Sequence, residues 1–151
     1  MRPIIVFGCL ASLTLALATS AMGQGKLAEV EHPGAAKHQA GPFRTDTVKV
    51  VLAAAGDAGK KDKIEYMVRM KAGEALVYSW EAPNDADVWH EFHGHTASAV
   101  TFYKKAGGPA HHGSLVAPFD GIHGWYYENR TKRPVTVRLK LSGHYELVAA
   151  K

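Results

Sequence analysis

The sequence predicts an all-β domain, an antiparallel β-sandwich of jelly-roll type with eight or nine short strands. Three observations carry this prediction. Apolar and polar residues alternate at period two in several short runs. Turn-forming clusters of Gly, Pro, Asn and Asp recur about every eight to twelve residues, as in sandwiches. No stretch repeats its apolar residues at helical spacing. Alternation with one polar face suits antiparallel strands, because parallel strands are usually buried on both faces.

The first β-rich run is residues 47–52, Thr-Val-Lys-Val-Val-Leu. Small and polar residues over 53–62 read as a loop. Ile64, Tyr66, Val68 and Met70 then alternate with Glu65, Met67 and Arg69, which marks a half-buried strand. The turn Lys71-Ala72-Gly73-Glu74 leads to a third strand over 75–81, closed by Pro83-Asn84-Asp85. Residues 88–95 make a fourth strand and 99–103 a fifth, with a break at Gly107-Gly108-Pro109. A sixth strand over 114–119 precedes the turn signal Asp120-Gly121. The seventh, over 122–128, is rich in aromatics. Beyond a turn at 129–134, Val135, Val137, Leu139 and Leu141 alternate with Thr136, Arg138 and Lys140. Residues 145–148 close the sheet. Trp80, Trp89, Trp125, Tyr126 and Tyr127 read as core packing before a sugar-binding platform, since a sandwich without disulfides needs large buried side chains. Tyr126 must point opposite to Trp125 and Tyr127.

The N-terminus belongs to no strand. Arg2, an uncharged apolar run over 4–18 and the small residues Thr19-Ser20-Ala21 make residues 1–21 a secretory signal peptide, cut near Ala21. The apolar run is shorter than the ~20 residues a membrane span needs. No second run follows it, so the mature chain is expected in the periplasm with no transmembrane segment. Residues 22–44, rich in Ala, Gly, His and Pro, read as a flexible lead, and 45–151 as the sandwich. Cys9 is the single cysteine and leaves with the signal. Disulfides, zinc-thiolate sites and cysteine nucleophiles are thereby excluded from the mature chain. The net charge of +4 is mild and dispersed. Lys60-Lys61-Asp62-Lys63 and Arg130-Thr131-Lys132-Arg133 fall at turns, so nucleic acid is not an expected partner.

The histidines carry the functional signal. In Trp89-His90-Glu91-Phe92-His93-Gly94-His95, residues two apart share a face of the strand. Glu91, His93 and His95 project together, while His90 and Phe92 point the other way. Two such imidazoles can reach one metal ion, with the carboxylate as a third ligand or as an acceptor behind one. Imidazole and carboxylate without thiolate suit Zn(II), Cu(II) or Ni(II). Copper(I) prefers sulfur as well, and Met67 and Met70 are the thioethers at hand. His123 lies on another strand. His111-His112 is placed in a loop, where adjacent rings chelate poorly, and His144 lies near the end. His32 and His38 are expected to be solvated. No catalytic residues are expected: Ser114 lacks a nucleophile elbow, the acids are scattered, and there is no glycine-rich phosphate loop.

Residues 73–80 (Gly-Glu-Ala-Leu-Val-Tyr-Ser-Trp), Phe92-His93-Gly94 and residues 117–126 (Ala-Pro-Phe-Asp-Gly-Ile-His-Gly-Trp-Tyr) resemble a bacterial envelope family described as transmembrane anchor proteins. Glu128-Asn129-Arg130 and Pro134-Val135-Thr136-Val137 extend the resemblance, which covers roughly residues 64–148. The last strands also look like those of a GOLD-type sandwich. The resemblance implies a secreted or anchored, non-enzymatic protein in a setting of metal handling. It also implies a pairing of His93 with His123, since His-Gly stands at both positions, and it gives less weight to Glu91 and His95. The expected function is a non-enzymatic periplasmic binding protein. It would take a divalent transition metal through His93, His123, His95 and Glu91, for buffering or for delivery to an envelope partner such as a metal-efflux component. Two alternatives stay open: an envelope interaction module with no metal, and a metal-dependent hydrolase or oxidase.

Overall fold

The computed structural model describes residues 30–148, so the expected signal peptide at 1–21 lies outside the described residues. Among them there are nine strands and no helix. No helix there is long and apolar enough to cross a membrane. The strands are β1 (Phe43–Leu52), β2 (Lys63–Met70), β3 (Ala75–Glu81), β4 (Val88–His95), β5 (Val100–Gly108), β6 (Ala110–Val116), β7 (Gly121–Asn129), β8 (Val135–His144) and β9 (Glu146–Leu147). They form two antiparallel sheets, of order β1-β8-β3-β6 and β5-β4-β7-β2-β9. The predicted all-β antiparallel sandwich is therefore the observed architecture.

The core lies between the inner faces. β8 supplies Val135, Val137, Leu139 and Leu141, and β3 supplies Leu76, Tyr78 and Trp80, all buried. From the other sheet, Phe92 of β4 stacks on Trp125 of β7 at 4.7 Å and 8°. Tyr78 meets both rings at 4.9 Å, and Trp80 meets Tyr127 edge-on at 5.4 Å. Offset and edge-to-face contacts of this kind each add ~0.5–1.5 kcal/mol beyond area burial. Trp89 and Tyr126 are half-buried on the outer face of the five-stranded sheet, and Arg130 lies over Trp89 at 4.6 Å.

Five expectations need correction. Gln39 accepts from the Ala75 amide and donates to the Gly73 carbonyl, and His144 donates to the Gly41 carbonyl. The end of the supposed flexible lead is thus tied to the sandwich, and β1 starts at Phe43 instead of at Thr47. β5 runs past Tyr103 to Gly108, because an edge strand tolerates exposed Lys104 and Lys105 and is protected by them. The chain then crosses between sheets at Gly108 and Pro109. Gly108 takes φ +141°, a value that favours glycine. Consequently β6 spans Ala110–Val116 instead of 114–119, and His111-His112 lie in a strand and not in a loop.

Candidate metal centre

β4 sits between β5 and β7, and its residues alternate cleanly across the sheet. Val88, His90 and Phe92 face the core, whereas Trp89, Glu91, His93 and His95 face outward. The extra residue in the β4–β5 pairing is on β5: Phe92 faces Lys104 and His93 faces Phe102, so Tyr103 is bulged.

His93 is only 2% exposed although it stands on an outer face. It is covered by His95, whose ring centroid is 4.7 Å away, by Phe102 at 5.7 Å and by Glu65. Its Nδ1–H donates to the Glu91 carbonyl at 3.0 Å. A carbonyl can only accept, so in the neutral ring the lone pair is left on Nε2. That nitrogen stands 3.5 Å from Glu65 Oε1. Backbone anchoring of one imidazole nitrogen fixes the ring and its tautomer and aims the other at a metal.

Glu65 comes from β2, on the far side of β7. The register explains the reach. Glu65 pairs with Tyr126, and the next outward position on β7 is Gly124, which pairs with both Met67 and His93. Gly124 has no side chain to separate β2 from β4 on this face. A Cβ there would collide with the Tyr66 carbonyl and with Met67. One ligand atom each from Glu65, His93 and His95 lies within 4.8 Å of the others. Donors on one zinc ion stand roughly 3.4 Å apart, given bonds of about 2.0–2.2 Å. Closure therefore asks for small side-chain movements on a fixed sheet.

Of the residues expected to ligate, His93 and His95 are brought together. Glu91 shares their face, but its carboxylate accepts from Trp89 Nε1 at 3.4 Å and pairs with Lys105 Nζ at 3.4 Å. The carboxylate oxygen that lies near both imidazoles is that of Glu65. His123 does not join His93. It pairs with Gly94 across β4 and β7 and points into the core, where it is 0% exposed. Its Nε2–H donates to the Phe119 carbonyl at 3.1 Å, and its Nδ1 accepts from the Tyr103 hydroxyl at 2.8 Å. Burial lowers its pKa, against the opposing effect of the Phe119 carbonyl, with His95 adding a smaller lowering. Both nitrogens are used, so His123 locks the β5 bulge and the 117–120 loop onto β7.

The other inward histidines differ again. His90 is 1% exposed, touches Trp80 and His111 at 5.0 Å, and has no hydrogen-bond partner on either nitrogen among the described residues. Burial, helped by His111 and only partly opposed by the Ala106 backbone, which lies beyond good hydrogen-bond geometry, lowers its pKa to about 4, so the ring is neutral at pH 7. His111 accepts from or donates to the Tyr78 hydroxyl at 3.0 Å, and burial lowers its pKa too. His38 is exposed, as expected.

No protein-family model matches the sequence, and no curated protein matches it. One similar solved structure is described by the words "Structural basis for the promiscuous specificity of the carbohydrate-binding modules from the beta-sandwich super family". It is 12% identical, with a TM-score of 0.36, over 74% of this chain. The match covers 58% of that chain's own length.

Proposed function

We propose that this protein is a non-enzymatic metal-binding β-sandwich that holds one divalent transition-metal ion at Glu65, His93 and His95. The observation that carries the reading is the meeting of three ligating atoms within 4.8 Å beside a hydrogen-bonded, pre-aimed His93. Two imidazoles and one carboxylate suit zinc, copper(II) or nickel. The carboxylate offsets one of the two positive charges and the imidazoles bind neutral. Because the site lies at the surface of a sheet and not in a closed cage, its ion is exchangeable. That fits buffering, or delivery to an envelope partner such as an efflux component. Export to the periplasm, and kinship with the envelope family that residues 64–148 resemble, belong to the same reading.

The test is calorimetric titration of Zn(II), Cu(II) and Ni(II) into protein purified without a histidine tag. One equivalent should bind, and His93→Ala should weaken binding by about 100-fold or more. An affinity no tighter than roughly millimolar, about 4 kcal/mol, or a His93→Ala variant with unchanged affinity, would overturn the reading.

A further inference from the structure

Met67 is the residue of β2 that completes the row His93, Gly124, Met67 across the outer face. Its outward neighbours on that strand, Lys63, Glu65 and Arg69, are exposed, while Met67 is half-buried. The side chain is half-buried because it folds down over Gly124: a Cβ at Gly124 would lie 2.9 Å from Met67 Sδ. The thioether thus fills the gap that Gly124 leaves between β2 and β4, the same gap across which Glu65 reaches His93. The other candidate sulfur, Met70, is 1% exposed and faces the core, so it takes no part.

Thioether sulfur is a soft donor. It adds little for zinc or nickel and much for copper(I), whereas carboxylate oxygen favours the harder divalent ions. We propose that the site takes copper in both oxidation states. Copper(II) is held by His93, His95 and Glu65, and copper(I) by His93, His95 and Met67 Sδ. The two donors that change over, Glu65 and Met67, stand two residues apart on one face of β2, on a strand that does not have to move. This inference rests on the metal-binding reading given above and names the ion for which the donor set is built.

The experiment measures copper(I) affinity under ascorbate by competition with a colorimetric copper(I) chelator, and Zn(II) affinity by calorimetry, for the full mature chain. Met67→Leu keeps the side-chain volume and leaves the fold intact, which a thermal melt checks. It should weaken copper(I) binding about tenfold or more, or ~1.4 kcal/mol, and leave Zn(II) unchanged. Glu65→Gln should do the reverse. X-ray absorption of the copper(I) form should show one sulfur scatterer that is lost in Met67→Leu. Equal copper(I) affinity in Met67→Leu and wild type, or no sulfur in the copper(I) spectrum, overturns the proposal while leaving the metal site standing. Failure of wild type to bind Zn(II), Cu(II) or copper(I) overturns the site and this proposal together.

Discussion

The two faces of the five-stranded sheet carry histidines of nearly equal burial and different fates. On the outer face His93 is 2% exposed, and on the inner face His90 and His123 are 1% and 0% exposed. His123 has both ring nitrogens in hydrogen bonds, to Tyr103 and Phe119. His90 has neither nitrogen bonded among the described residues. His93 has one nitrogen tied to a carbonyl and the other turned toward a carboxylate and a second imidazole. Exposure therefore does not separate a histidine poised to ligate, the proposed role of His93, from a structural one. The hydrogen-bond account does: a ligand needs one nitrogen fixed and one left facing other donors.

Substitutions can break this contrast, and the largest effect is expected on the inner face. His123→Ala removes both bonds and leaves the Tyr103 hydroxyl and the Phe119 carbonyl unpaired beside a new cavity. Urea unfolding should show a loss of about 3 kcal/mol or more. Metal affinity of the folded fraction should stay unchanged, which would separate His123 from the ligands. A loss below ~1 kcal/mol would mean that the Tyr103–His123–Phe119 chain does not hold β5 and β7 together.

His90 should set a comparable effect through pH. Its folded pKa of about 4 lies below the unfolded value near 6.5. The unfolded chain therefore binds the proton first as pH falls. Stability is complete above about pH 6.5 and declines toward pH 4, by up to about 3 kcal/mol from this one ring. His111 and His123 are shifted in the same direction and add to the slope. His90→Phe replaces an unbonded imidazole with an apolar ring. It should leave stability at pH 7 unchanged or higher and should flatten the acid limb, as measured by melting temperature from pH 7 to 4. An undiminished slope in His90→Phe would remove His90 as its source.

Smaller effects sharpen the contrast within the outer face. Glu65→Gln should weaken Zn(II) binding by about 10–100-fold, while Glu91→Gln should change it less than about threefold, because Glu91 is engaged with Lys105 and Trp89. Equal losses would return Glu91 to the ligand set. Either substitution should alter stability by less than about 1 kcal/mol in the absence of metal, since Glu65 is exposed and Glu91 sits in a partly exposed pair with Lys105.

Much of this was legible along the chain. The alternations in residues 64–70 and 135–141 became β2 and β8, with the apolar sets inward. Residues two apart on β4 share a face, as His93 and His95 do. What a single strand does not reveal is its neighbours. Glu65 was visible as a polar-face residue, yet its approach to His93 depends on β2 and β4 flanking β7, a pairing set by contacts far apart in sequence. His123 differs: it shares its parity along β7 with Trp125 and Tyr127, so period two alone puts it on the core face, opposite to that of His93.

Gly94 and the segment Asp120-Gly121-Ile122-His123-Gly124-Trp125 gain a physical reason from the β4–β7 register. Gly94 makes room for the inward His123, since a Cβ there would collide with the Tyr103 hydroxyl and His123 Nδ1. Gly124 opens the outward gap between Glu65 and His93. Asp120 accepts the Ala72 amide at 2.7 Å and pins the turn to β7, and Trp125 stacks in the core. A segment that reads as one motif thus serves the core with some residues and the outer site with others.

The most direct test of the contrast between faces is a nitrogen-detected NMR titration of the imidazoles with Zn(II), which is diamagnetic. Large shifts are expected, at one equivalent, for the Nε2 of His93 and a ring nitrogen of His95, with the resonances of His90 and His123 unmoved. Shifts at His123 together with His93, or at neither His93 nor His95, would contradict that contrast.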